Sequence, residues 1–304
     1  MDRLIGDFCY DATEVRGVTD LTIKTYKYSL NGFVNFIEPK NINLINADKN
    51  TIRDYIGSLR KSGKRTKTIA NHLAALASFY EYLVYAEIIK TNPVNAVKKR
   101  YATAYKNDGE KQNHKLISLI DSARLVDSAI DIRDRALILL LLKTGIRKNE
   151  LISIDLEDID WQNQSILLKP KKKRTNRVVF FDNETAEVLI RWMAARESRI
   201  RKKSNALFLT AQGRISSPAI DYIIRQVALR AGLHDIKSSR MEDHFSAHCC
   251  RHWNTTYLLR AGMKREYVQW LRGDAIKEAV DIYFHIDPKD VQEAYLASIP
   301  QLGI

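Results

Sequence analysis

Cysteine is scarce in this chain: Cys9, Cys249 and Cys250 are the only three in 304 residues. An odd count with two neighbours adjacent builds no disulfide framework, so a small secreted scaffold is excluded and a reducing, cytoplasmic location is expected. Long apolar runs are missing as well. The longest runs from Ala136 to Leu142, far short of the roughly 20 residues a membrane helix needs. The opening MDRLIGDFCYD has no basic start followed by an apolar stretch, so no secretory signal is read there. Acidic side chains are outnumbered, 36 against 49 basic ones, for a net charge of +13. That balance points to a polyanionic partner rather than an acidic surface. The excess is shared, +6 over residues 1–112 and +7 over 113–304, so a polyanion surface should draw on both halves.

What is present is enough for packed cores. Hydrophobic residues make up 45% of the chain and charged residues 28%, and the length fits two domains of roughly 100–200 residues each. From Leu21 the pattern is helical: Ile23, Tyr26, Leu30, Phe33, Val34 and Ile37 recur at three- and four-residue spacing and line one face. Glu38-Pro39 stops that helix. Thr51 to Leu59 reads as a second helix, and Lys67 to about Ala86 as a third, with Asn92-Pro93 as punctuation. Between the second and third lies RKSGKRTK (60–67), with Arg60, Lys61, Lys64, Arg65 and Lys67 in eight residues. It is either a solvated loop or a helix start offered to phosphates, where backbone N–H groups and basic side chains act together. Residues 98–113, KKRYATAYKNDGEKQN, carry no apolar period and read as a linker between a first domain (1–97) and a second (114–304).

The second domain holds the chemistry. DIRDRALILLLLK (131–143) is an apolar helix closed by Gly145, and Arg147 opens the next helix after a tight turn. An arginine fork at a helix start suits a phosphate. Ser165–Leu168 and Arg177–Phe181 read as strands flanking KPKKKRTN, a β-hairpin with a very basic tip. In HFSAHCCRHWNTTYLLRAGM (244–263), His248 and Arg251 share a helix face. A rival there is a zinc site from His244, His248 and His252 with Cys249 and Cys250 nearby, although no HExxH pattern is present. QWLRGDAIKEAVDIYFHIDP (269–288) reads as helix, glycine turn, helix, with Tyr283 late in the second.

The order of these motifs resembles the tyrosine recombinases, also called the phage integrase family. TGIRKNELISIDLEDID is similar to the family's first arginine box, the basic hairpin to the element bearing its catalytic lysine, and HCCRH to its H-x-x-R-H motif. The tyrosine nine residues after the position of the family's usual LGH histidine is Tyr283. The resemblance implies a mainly α fold: an N-terminal helical, SAM-like core-binding domain and a C-terminal mixed α/β catalytic domain with a small sheet. It implies Arg147 and Arg251 on the phosphate oxygens, Lys171 as general acid with Lys172 one register away, His248 bonding the phosphate or assisting proton transfer, and Tyr283 as nucleophile. Arg60, Lys61, Lys64, Arg65, Lys67, Lys172, Lys173 and Arg174 would contact DNA. The activity implied is site-specific recombination through a covalent 3′-phosphotyrosine, with no ATP, metal or cofactor. The partners implied are double-stranded DNA and a homotetramer on paired sites, assembled from a monomer free in solution. Asp287 to Ile299 would dock on a neighbouring protomer.

One departure stands out. Where the family has His or Trp after Leu-Gly, this chain has Asp274, in LRGD. A carboxylate repels a phosphate, so either Arg272 takes over the role or Asp274 orients Arg251 or Arg272. The LRGD variant and the ending AYLASIPQL look most like archaeal members. Other readings of the residues are a non-catalytic DNA-binding protein on the same fold, a metal-dependent nuclease built on 244–252, and a type IB topoisomerase-like relaxing enzyme.

Overall fold

The computed structural model describes residues 2–101, 115–170, 178–199, 204–238, 240–274 and 286–304. The chain divides into two compact units, Met1–Lys111 and Gln112–Ile304.

The first unit is helical. Helix α1 (Asp2–Tyr10) runs into a single π-helical turn, Asp11–Val15. Then come α2 (Asp20–Ile37), α3 (Lys49–Lys61), α4 (Thr66–Tyr85) and α5 (Pro93–Tyr101). The three helices expected from periodicity are α2, α3 and α4. Helix α1 was not anticipated, although Ile5, Phe8 and Cys9 form its buried stripe. Asn92-Pro93, expected as a stop, is instead a start: Asn92 Oδ1 accepts from the Val94 N–H at 2.9 Å and caps α5. That helix also takes in residues 98–101 of the stretch expected as a linker, because Val94 and Val97 are buried in the core. The core is aromatic: Phe8, Phe33, Phe79 and Tyr80 are fully buried, and the Tyr80 hydroxyl donates to the Leu44 carbonyl at 2.8 Å. Asp48 caps α3 by accepting from the Thr51 N–H at 2.8 Å. The turn from α3 to α4 passes through Gly63 at φ +72°, a left-handed conformation that glycine adopts without a Cβ clash. Arg60, Lys61, Lys64, Arg65 and Lys67 are all exposed around that turn.

The second unit is organised around α7 (Ile132–Thr144), preceded by α6 (Leu119–Asp127). From Ala136 to Thr144 every residue of α7 is buried, the mark of a helix surrounded on all sides. It packs against α9 (Asn183–Glu197) and α11 (Ala247–Arg260). Between α8 (Lys148–Ser153) and α9 lies a three-stranded antiparallel sheet in the order β1 (Ile159–Asp160), β2 (Ser165–Leu167), β3 (Val178–Phe180). Its register pairs Ile159 with Ile166 and Ile166 with Val179. β2 and β3 are the expected hairpin strands; β1 was not expected. A second small hairpin, β4 (Leu209–Thr210) with β5 (Gly213–Arg214), precedes α10 (Ser217–Arg230). After α11 come α12 (Arg265–Arg272) and α13 (Pro288–Ser298). Helix α13 seats Val291 and Tyr295 against α11 and α12 of its own chain.

The end of α7 is a polar knot. Lys143 is fully buried, and its ammonium donates to Asp182 Oδ2 (2.6 Å), Glu184 Oε2 (2.5 Å) and the Pro300 carbonyl (2.7 Å). The Glu184 carboxylate also accepts from the backbone N–H groups of Leu302, Gly303 and Ile304. Removing one partner of a buried pair strands the other charge away from water. Lys143→Met should therefore lower the unfolding free energy by about 3–5 kcal/mol, read from the urea midpoint of the full chain. A midpoint within experimental scatter of the parent would show that Asp182 and Glu184 find solvent instead.

Candidate active site

Helix α7 stops at Gly145, which sits at φ +61°. A Cβ there would lie 2.6 Å from Asn254 Oδ1, so both the conformation and the contact demand glycine. The left-handed turn presents the Gly145 carbonyl to α11, where it accepts from Arg251 Nη1 at 2.7 Å. Two residues on, Arg147 is the N-cap of α8. Its backbone N–H donates to Glu150 Oε2 (2.8 Å), and its Nη1 donates to Glu150 Oε1 (3.2 Å). Glu150 is buried and anchors both ends of this arginine.

His248 and Arg251 lie on the first turns of α11, with His248 exposed and Arg251 buried. Together with Arg147, Lys148 and Ser246 they line a cleft of about 240 Å³. Arg251 is further held from α12: its Nη2 donates to the Arg272 carbonyl at 3.0 Å and lies 3.5 Å from Asp274 Oδ1. The same carbonyl accepts from Arg147 Nη1 at 3.4 Å, and the same carboxylate oxygen is 3.6 Å from Arg147 Nη2. Arg272 donates through Nε to Asp274 Oδ2 (2.7 Å) and through Nη1 to Thr255 Oγ1 (3.1 Å). Burial pushes the Arg251 guanidinium down to about 10, with repulsion from Arg147 and Arg272 adding to it and Asp274 and Glu150 opposing it. It stays charged at neutral pH. Two guanidiniums from different elements thus meet at one cleft, with an imidazole beside them. Such a set binds the non-bridging oxygens of a phosphodiester and stabilises charge built there.

The residues of the metal alternative are engaged elsewhere. His244 Nε2 is 2.8 Å from the Ser238 carbonyl, His252 Nδ1 is 3.3 Å from Thr256 Oγ1, and Cys249 and Cys250 are buried. Among the described residues no group of three His, Cys, Asp or Glu is disposed to hold a metal ion.

The structure brings Arg147, His248, Arg251 and Asp274 together. Lys171, Lys172, Lys173, Arg174 and Tyr283 lie outside the described residues. Just past β2, Lys169 pairs with Asp155, which also takes Arg214. That bond to Asp155 holds the Lys169 ammonium above its ordinary range. Three participants were not anticipated. Glu150 stands three residues after Arg147, the spacing of a capping pair and a signal available in the sequence. Lys148 and Asp221, 2.6 Å apart at the cleft, come from α8 and α10 and have no such signal.

The Phage integrase family model matches residues 109–290, and the Phage integrase N-terminal SAM-like domain matches 7–87. A tyrosine recombinase XerC of Thermodesulfovibrio yellowstonii is 30% identical over 94% of this chain and 92% of its own length. A tyrosine recombinase XerC of Psychromonas ingrahamii is 28% identical over 99% and 97%. Among solved structures, the fold is shared with the Tn1549 transposon integrase in complex with circular intermediate DNA (TM-score 0.68, 17% identity, 95% of this chain and 98% of that one). It is also shared with the XerH site-specific recombinase bound to difH (TM-score 0.66, 23% identity, 95% and 82%). The chain belongs to the phage integrase family, the tyrosine recombinases.

Lysine cannot replace a guanidinium that reaches two backbone carbonyls at once. Arg251→Lys should cut strand cleavage by about 10²–10³-fold, the scale of losing one charge-stabilising donor, with duplex affinity nearly unchanged in a gel-shift titration. A parallel loss of affinity would move Arg251 from the chemical step to binding.

Proposed function

We propose that this protein is a site-specific DNA recombinase that cleaves and rejoins strands through a covalent 3′-phosphotyrosine. The observation that carries the reading is the meeting of Arg147 and Arg251 at one cleft beside His248. Tyr283 is the nucleophile. The phenol's unperturbed pKa is about 10, so neighbouring cations favour the phenolate that attacks phosphorus. Arg147 and Arg251 hold the non-bridging oxygens, and His248 bonds the phosphate or assists proton transfer. Lys171 protonates the departing 5′-oxygen. The phosphotyrosine keeps a phosphodiester linkage, so a second strand's 5′-hydroxyl attacks it directly and no ATP or metal is needed.

Duplex DNA is held by the exposed turn Arg60, Lys61, Lys64, Arg65, Lys67 and by the hairpin residues Lys172, Lys173 and Arg174. A homotetramer pairs two sites, formed from monomers in the cytoplasm; no helix of the described residues is long and apolar enough to cross a membrane. The domain division we propose is 1–97 and 114–304 with 98–113 between them, the first four of those residues continuing α5. Part of this reading is a likeness of LRGD and the ending AYLASIPQL to archaeal members of the family; the relatives named above are bacterial.

The test starts from a pool of nicked duplexes of randomised sequence, incubated with the full chain in EDTA. Covalent capture should succeed, and sequencing the captured DNA gives the target. Tyr283→Phe should keep duplex affinity and yield no adduct; an adduct from this variant would move the nucleophile to another tyrosine. Exchange between two captured-sequence duplexes, rather than relaxation of one, separates recombination from topoisomerase-like activity.

A general acid matters most when the leaving group is poor. Lys171→Ala should slow cleavage of ordinary DNA by roughly 10²–10⁴-fold and be largely rescued by a 5′-bridging phosphorothiolate, whose thiolate departs unprotonated. Lys172→Ala should weaken binding without such rescue. Rescue seen only with Lys172→Ala would shift the role by one residue.

A further inference from the structure

The turn that ends α12 carries a carboxylate in contact with three guanidiniums. Asp274 Oδ2 accepts from Arg272 Nε at 2.7 Å, and Oδ1 stands 3.5 Å from Arg251 Nη2 and 3.6 Å from Arg147 Nη2. Gly273, left-handed at φ +59°, lets the chain double back here, so that the Arg272 carbonyl reaches the same two arginines, at 3.0 Å and 3.4 Å. We propose that Asp274 is a positioning residue: tethered by Arg272, it holds the Arg147 and Arg251 guanidiniums side by side at the cleft before a phosphodiester arrives. The proposal rests on the reading that these two arginines grip the scissile phosphate.

The electrostatics require something of this kind. Arg251 is only 6% exposed, and two further guanidiniums crowd it. Like charges gathered away from water repel strongly unless a counter-charge is built in. Glu150 supplies one such charge, and its carboxylate accepts from the backbone and side chain of Arg147. Among the described residues, Asp274 is the carboxylate that reaches Arg147, Arg251 and Arg272 together. The distances also divide its contacts into two kinds. The 2.7 Å bond to Arg272 is a full charge-assisted hydrogen bond, whereas 3.5–3.6 Å is longer than one. An incoming phosphate therefore displaces the long contacts to Arg147 and Arg251 and leaves the tether to Arg272 in place.

The experiment uses the full chain and a nicked duplex carrying the captured sequence, under single-turnover conditions. Cleavage rate at saturating protein and half-saturating concentration are read separately. Asp274→Asn keeps size and loses charge; it should slow cleavage about 10- to 100-fold, the scale of misplacing a reacting group, with the half-saturating concentration unchanged. Asp274→Glu keeps the charge and should recover most of the rate. Asp274→His, which turns the acceptor into a donor, should be as slow as Asp274→Asn.

Wild-type rate in Asp274→Asn would make the carboxylate idle. A faster rate would make it a competitor of the phosphate, and wild-type rate in Asp274→His would mean this position acts on the phosphate itself. Each of these overturns the proposal. If Asp274→Asn does not fold, Arg272→Gln decides: it cuts the tether and keeps the carbonyl, and full cleavage by it overturns the proposal. Arg251→Ala is the control that separates the two layers. If it cleaves normally, or if the wild-type chain captures no DNA, the reading beneath the proposal fails first.

Discussion

The buried end of α7 is the constraint on which the second unit depends. Over three residues, the chain places an ammonium, two carbonyls and a left-handed turn at the junction of four elements. The Lys143 side chain ties α9 to the last residues of the chain through Asp182, Glu184 and Pro300. The Lys143 carbonyl accepts from Asn254 of α11 at 2.5 Å and from the Tyr295 hydroxyl of α13 at 3.1 Å. The Gly145 carbonyl then takes Arg251. A polar group placed so deeply would be costly if any of these partners were missing. The apolar sleeve around Ala136–Leu142 holds the helix end in place, and the helix end holds the arginine.

From that point the site is assembled by backbone more than by side-chain pairing. Arg251 spends its donors on two carbonyls, and Arg147 is held by a cap and by one of the same carbonyls. Backbone acceptors cannot rotate away as carboxylates can, so the fold fixes one side of each guanidinium and leaves the other to Asp274. This is preorganisation in the sense that matters for charge stabilisation: the donors stand in position in a partly dry cleft and need not rearrange when negative charge develops.

How far this could be read in advance follows from the same physics. Helices α2, α3, α4 and α7 announce themselves through apolar spacing, and Arg147, His248 and Arg251 through motif. Helix α1 does not, because nine residues make too short a stripe and its packing against α2 and α4 decides the matter. Strands β1, β4 and β5 have two residues each, too few for alternation to show. Lys143 looks like an ordinary basic residue in a last helical turn; nothing local reveals that α9 and the tail close over it. Nor does the sequence of Asp287–Ile299 show that Val291 and Tyr295 are buried against α11 and α12. Contacts between a side chain and a distant carbonyl leave no mark in residue type, which is why Arg272 and Asp274 could be narrowed only to alternatives.

The basic turn of the first unit has a consequence of another kind. Its five cationic side chains are exposed, while Leu59 and Ile69, on the helices either side of the turn, are buried in the core of the unit. Exposed positions tolerate substitution at little cost in stability, whereas buried ones do not. The surface of this turn is therefore free to drift in sequence while its scaffold is not. A single substitution here changes the charge that the turn presents without calling for a compensating change in the core.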